Sequence, residues 1–346
     1  MSTDWQIFQK RTQNIGSILA VVLNAILIYL VQNKSPSTLG VYKRLIIFTA
    51  VFEIIFAVLD IVAQPIIYSY GSTFVIVVNV IDSLLSHGIL KVLTSIFCGF
   101  FGSLLATFSI QFVYRFWVVS GNKWIQSFNG WKILGWYMLP VISGMIWGLA
   151  AYFPCASRPA SDDYLRQSLK DEFNLTVEDN LYIAPYFYEK RANGTAQIYL
   201  PSFMAIVIDS MIINISIATA FYFGSKCYTT LRKTIDLSSS QSYQSLQTQL
   251  FYSLVTQTLI PVILMHIPAF VMFGCTFLEI NVGPLTGIVT ITIALFPAID
   301  PLPTLIIVKN YRIAIQAYIV HFLHKIARSV EPGTGTTVNP SHARTL

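Results

Sequence analysis

The apolar positions of this chain fall into long unbroken runs, without the two-residue alternation or the three-and-four spacing of half-buried elements. Runs of about 20 apolar residues have the length that crosses a ~30 Å hydrocarbon core as helix. Seven can be drawn, at roughly 15–32, 45–70, 90–117, 133–154, 199–224, 250–275 and 286–308. The segment GSTFVIVVNVIDSLLSHG (71–88) holds a further apolar patch, but Asn79, Asp82 and His87 interrupt it, so a loop dipping near the interface is expected there. The opening MSTDWQIFQKRTQNIG is polar for longer than a signal-peptide n-region and no small-residue cleavage site comes after it, so the first run is expected to be a span.

After the last run, KNYRIAIQAYIVHFLHK sets Tyr311, Ile315, Tyr318, Ile319 and Phe322 on one helical face with bases between them. That pattern predicts an amphipathic helix over 309–325 lying on the inner leaflet. The Gly-, Pro- and Thr-rich stretch at 326–346 is expected to be disordered. The pattern therefore predicts an all-α membrane protein, a seven-helix bundle over 1–325 with a short tail.

Composition agrees. Charged residues make up 11% and apolar ones 54% of the 346 residues, against about 25% and roughly 45–50% in soluble domains. The mean hydropathy of +0.62 points the same way. The net charge of +6 is then topological information, and the lack of a basic face interleaved with aromatics sets nucleic acid aside. Fourteen Lys and Arg residues fall on one side of the predicted bundle and eight on the other, five of those in the long 155–198 loop among seven acids. The positive-inside rule puts the C-terminus in the cytoplasm and the N-terminus outside. Two glycosylation sequons, Asn174-Leu-Thr and Asn193-Gly-Thr, fall in that long outer loop. Asn33-Lys-Ser is on the inner side and Asn214-Ile-Ser lies within a helix, so neither is expected to be used.

Ionisable side chains inside spans are functional candidates, because each is expensive to keep there. Glu53 and Asp300 lie at matching depths of roughly 12–13 Å from the inner ends of their helices, so a shared polar network, with a cation or water cluster, is expected; structural hydrogen bonding between helices is the plainer alternative. Pro301 follows Asp300 directly, and Pro65, Pro261, Pro268, Pro297 and Pro303 also interrupt helices, which suits a bundle that rearranges. Asp60, Gln64 and His266 fall in the outer half and Asp209 nearer the midplane, where a ligand pocket is expected. Arg115, preceded by Tyr114, ends the third span. The readings for Arg115 are a snorkelling helix end or, with Lys226, Arg232, Lys233 and Arg312, a cytoplasmic protein contact.

Of four cysteines, Cys98 and Cys155 are expected near the outer surface, where a bridge would tie the long loop to the third helix. Cys155–Cys275 is the competing pair, and Cys227 on the inner side is free or acylated. No HExxH or GxSxG occurs, so an enzyme is not indicated. No motif asks for a cofactor or metal, and span 286–308 has no lysine for a retinal Schiff base.

Four stretches carry a resemblance: PSTLGVYKRLIIFTAVFEIIFAVLDIVAQP (36–65), FCGFFGSLLATFSIQFVYRF (97–116), QTQLFYSLVTQTLIPVILMHIP (247–268) and FPAIDPLPTLIIVKNYR (296–312). Together they resemble the Str class of nematode serpentine chemoreceptors, with the Srj type close by. The resemblance implies a G-protein-coupled receptor in the plasma membrane of sensory cilia, with a small volatile or soluble odorant as ligand and a heterotrimeric G protein as partner. It adds Gln111 to the candidate pocket, at a position where the class usually carries His. Asp300-Pro301 stands where rhodopsin-type receptors have Asn-Pro-x-x-Tyr, but Thr304 occupies the Tyr position. Tyr114-Arg115 stands in for an acid–Arg pair, leaving open what locks the resting state. An odorant-gated channel of inverted topology is disfavoured by charge and sequons, and a transporter by the lack of an internal repeat.

Overall fold

The computed structural model describes residues 3–81, 83–190, 195–235, 241–280, 282 and 286–330. Seven helical stretches among them are long and apolar enough to cross a membrane. They are α1 (Thr3–Lys34), α2 (Tyr42–Ala63), α3 (His87–Ser120), α4 (Ile133–Tyr152), α6 (Leu200–Ile235), α7 with α8 (Gln241–Pro261 and Ile267–Phe277), and α9 with α10 (Thr286–Ile299 and Pro301–Ile307). A shorter helix, α5 (Pro159–Phe173), lies in the long loop, and α11 (Lys309–Val330) comes after the bundle. Residues 331–346 of the expected tail lie outside the described residues, while 326–330 continue α11.

α3 is the central column. Small residues let its neighbours approach: a Cβ on Gly99 would stand 2.5 Å from the Gly144 carbonyl oxygen, and one on Gly144 would stand 2.0 Å from Ser103 Oγ. Ser103 Oγ completes the α3–α4 contact by donating to the Pro140 carbonyl at 2.8 Å. Such close backbone packing and interhelical hydrogen bonding replace the hydrophobic drive that lipid cannot supply. Outward faces of α4 and α6 carry exposed Met145, Leu149, Ile215 and Phe221, as a lipid-facing surface requires.

The helix boundaries differ from the sequence expectation at the end of the bundle where α1 begins. α1 starts at Thr3 rather than near 15, its polar first turns held by Gln6 Nε2 on the Glu172 carbonyl at 3.3 Å and Gln13 Nε2 on the Pro65 carbonyl at 3.0 Å. α2 stops at Ala63 instead of running to 70. Gln64 takes a left-handed conformation at φ 43°, and Pro65 disfavours helix at the residue before it.

The chain leaves α2 into a β-hairpin, not an interfacial loop. β1 (Ile66–Tyr70) pairs antiparallel with β2 (Thr73–Val78), and β2 pairs with β3 (Leu181–Ile183) from the long loop. Gly71, at φ 51°, makes the turn. The period of two sorts the side chains. Ile67, Phe74 and Ile76 join the bundle core, while Tyr68, Val75 and Val77 pack under Leu165, Leu169 and Phe173 of α5. β4 (Tyr188–Lys190) and β5 (Ala196–Ile198) form a second small sheet. Asp82 lies outside the described residues. This end is termed the capped end. The opposite end, where Lys34, Lys43, Arg44, Lys226, Arg232 and Lys309 cluster along the helix termini, is the basic end.

Candidate functional site

Beneath the cap, α3, α4, α6 and α8 line a cavity of about 250 Å³ whose roof is Phe74, Ile76 and Ile183 of the sheet and whose outer rim is the exposed Phe270. Its walls are mainly aromatic and aliphatic, with Phe101, Trp147, Phe270 and Phe273 prominent. Grooves of about 440 and 530 Å³ also exist, but outward-facing residues such as Met145 and Ile96, or Phe221 and Leu259, line them, which places them against lipid.

Two of the expected ligand residues, Asp209 and His266, line this cavity. His266 reaches it because five residues between α7 and α8, Val262–His266, form a π-helical turn. The turn sits between Pro261 and Pro268, where missing donors loosen the ordinary ladder. The ring nitrogens of His266 lie beside two backbone carbonyls, Nδ1 3.1 Å from that of Pro261 and Nε2 3.2 Å from that of Phe101, and the single N–H of a neutral imidazole donates to one of them. The imidazole therefore ties the π-helical turn to α3 at the edge of the pocket. Asp209 differs: it is 8% exposed and its Oδ1 is buried with no hydrogen-bond partner among the described residues.

Asp60, Gln64 and Gln111 do not line the cavity. Asp60 accepts from Ser17 Oγ at 3.0 Å and Gln64 Nε2 donates to Asn14 Oδ1 at 3.2 Å, so both face α1. Gln111 lies deeper on α3, donating to Thr49 Oγ1 at 2.8 Å. Cys98 and Cys155 line the cavity together, yet the expected bridge between them is not formed: all four cysteines are free. Burial pushes the Cys155 thiol up to about 12, with the Asp209 carboxyl adding to the effect. It stands as a neutral thiol, its backbone carbonyl held by the Ala184 amide at 2.7 Å.

Midway along the bundle Glu53 and Asp300, expected to share a polar network, come together with Ser253, Gln257 and Thr304. The carboxyl of Glu53 lies against that of Asp300, and both side chains are fully buried. Gln257 Nε2 donates to Asp300 Oδ2 at 3.0 Å; Thr304 Oγ1 donates to Gln257 Oε1 at 2.9 Å and meets Ser253 Oγ at 2.7 Å. Thr304, in the position of the absent Tyr, thus bridges α10 to α7. Pro301 cannot donate to the carbonyl four residues earlier. That carbonyl, of Pro297, is taken by Asn24 Nδ2 at 2.9 Å. Asn24, the lone Asn in the apolar run 15–32, is the mark of this contact in the sequence.

Near the basic end Arg115 is 2% exposed, because α3 continues to Ser120. Its Nη1 donates to Gln247 Oε1 at 2.6 Å and its Nη2 to the Gln247 carbonyl at 3.2 Å, while the guanidinium lies 4.5 Å from the Tyr42 ring centre. Tyr114 stacks on the same Tyr42, 5.6 Å between centres. Tyr114 and Arg115 are therefore sealed inside the bundle in this state, contrary to their expected surface contact. Lys226, Arg232, Lys233 and Arg312 are exposed. Of the sequons, Asn174 is exposed at the C-terminus of α5 and Asn193 lies outside the described residues.

Residues 9–316 match the family model described as serpentine type 7TM GPCR chemoreceptor Str. The chain is 37% identical to the Caenorhabditis elegans G-protein coupled receptor str-217, with 90% of each chain covered. It is 26% identical to serpentine receptor class r-10 of the same worm over 96% of each chain, and 23% identical to serpentine receptor class J-38 over 90% and 93%. Squid rhodopsin shares the fold, with a TM-score of 0.58 at 12% identity over 91% of this chain and 85% of that one.

Proposed function

Since the chain belongs to the Str family of serpentine seven-transmembrane chemoreceptors, we propose that it is a ligand-operated receptor acting through a heterotrimeric G protein. The capped end faces outside and the basic end the cytoplasm, at the plasma membrane of a sensory cilium, with Asn174 and Asn193 glycosylated. A small organic odorant enters the cavity beside Asp209 and His266. The single observation carrying this reading is that one continuous helical stretch touches all three polar layers. His266 closes its pocket end, Gln257 holds Asp300 in the middle, and Gln247 clasps Arg115 near the basic end.

His266 and Gln247 are nineteen residues apart, roughly 28 Å along a helix at 1.5 Å per residue. A ligand that favours a different seating of α8 must move the other contacts of the same rod, and by differential affinity shifts the population toward it. Parting of Gln247 from Arg115 opens the basic end between α3 and α7, where Arg115 and Tyr114 become available to the G protein beside Lys226, Arg232, Lys233 and Arg312. Glu53, Asp300 and Pro301 form the bendable hub between the two ends.

The test is calcium imaging of cells expressing the receptor with a coupling G protein across an odorant panel. Responses that vanish when the G protein is blocked are expected. Ligand-gated currents in membrane patches free of G protein overturn the proposal and support the channel alternative instead.

A further inference from the structure

Resting on the proposed receptor function, we infer that the cavity selects small protonated amines with a compact apolar body, with Asp209 as counter-ion. Almost all the lining is apolar, and His266 turns its ring nitrogens toward backbone carbonyls, where the one N–H of a neutral imidazole is used. Asp209 is left as the ionisable group with a buried oxygen that nothing in the described protein satisfies. An unpaired carboxyl out of water is costly, and a partner that brings its own charge and donors removes that cost.

The surrounding walls fit the same partner. Phe101, Trp147 and Phe273 line the chamber that Asp209 borders, and aromatic faces attract an ammonium group through their quadrupoles. Among the described residues no Lys or Arg lines the cavity to compete for the carboxyl. Size sets the other limit. A cavity of ~150 Å³ holds benzene, so the present 250 Å³ admits a molecule of about ten non-hydrogen atoms by proportion. With one charged anchor, the pocket suits a monoamine over a molecule with polar groups at both ends.

The experiment measures binding to the purified full-length receptor in lipid nanodiscs, by thermal shift and calorimetry, with matched probes. These are 2-phenylethylamine and hexylamine, against 2-phenylethanol, phenylacetaldehyde and phenylacetic acid. The expected result is binding of an amine, weaker or no binding of its neutral and acidic isosteres, and a loss of about thirtyfold or more in Asp209→Asn. Asp209→Glu, which keeps the charge, retains part of the affinity. The unliganded melting temperature of each variant reports whether it still folds.

Tighter binding of the aldehyde or alcohol than of the amine, or an Asp209→Asn receptor that folds and binds amines unchanged, overturns the amine inference and leaves the receptor reading standing. Amine binding with no G-protein response has the opposite effect, upholding the pocket chemistry against the proposed coupling. Failure of both amines to bind a folded receptor also refutes the inference.

Discussion

Arg115 on α3 is joined twice to Gln247 on α7, by a 2.6 Å bond to the side chain and a 3.2 Å bond to the main chain. The rhodopsin-like acid–Arg pair is not available at Tyr114-Arg115, and a neutral amide on another helix restrains the guanidinium in its place. The main-chain bond survives any substitution at 247, but the shorter bond does not. Gln247→Leu is expected to raise ligand-independent signalling about tenfold or more, since a hydrogen bond to a charged group is worth roughly 1.5–3 kcal/mol. Gln247→Glu, which gives Arg115 a charged partner, lowers it. Basal nucleotide exchange on a co-expressed G protein measures both.

The Glu53–Asp300 contact gives a second expectation. Two bare carboxylates held together out of water repel strongly, so the pair needs a proton or a cation between them. Glu53→Gln removes one charge at nearly constant shape and should leave the receptor at least as stable, by about 1 kcal/mol at most, while blunting the ligand response. A thermal melt beside a dose–response curve checks both parts. A collapse in stability would show that Glu53 carries a structural charge instead.

The α3–α4 crossing predicts a steric effect with a built-in control. Gly99→Val drives a side chain into the Gly144 carbonyl, only 2.5 Å from the first added carbon, and overpacking of this kind costs about 1–3 kcal/mol or more. Surface expression and melting temperature should both fall. Gly135→Ala, with nothing within 4 Å of its added carbon, should change neither.

Orientation is testable at Asn174. That residue ends α5 in a left-handed conformation at φ 56°, so replacing it risks the cap itself. Thr176→Ala removes the sequon at its third position and costs only a bond to Asp179 of 2.7 Å. A glycosidase-sensitive band is expected to lose one glycan in Thr176→Ala and to keep it in Thr176→Ser. An unchanged band in both means that Asn174 carries no glycan.

Much of this architecture is written in single residues. Apolar run length marks the spans, because a hydrocarbon core imposes length directly. The pairing of Glu53 with Asp300 is legible because two acids at one depth on different helices have few other reasons to exist. The cap is not legible as a sheet. IIYSY and TFVIVV are apolar enough to continue a helix or enter an interface; the helix stops at left-handed Gln64 before Pro65, and pairing with each other and with β3 makes them strands. The fate of Arg115 is hidden because its partner is an amide, and Gln247 shows no charge for a sequence pattern to match. Depth alone puts Asp60 in a pocket; which way it faces depends on Ser17 across α1, and depth carries no information about rotation.

On this mechanism a ligand beneath the cap parts α7 from α3 some 28 Å away by helix rise. The direct test is a spin-label distance between Ser120→Cys at the end of α3 and Ser245→Cys on α7, both exposed positions, in nanodiscs with and without a ligand that elicits a calcium response. The predicted distance lengthens by a few ångström at saturation, and is already lengthened without ligand in Gln247→Leu. An identical distance distribution with the pocket empty and filled would contradict the mechanism.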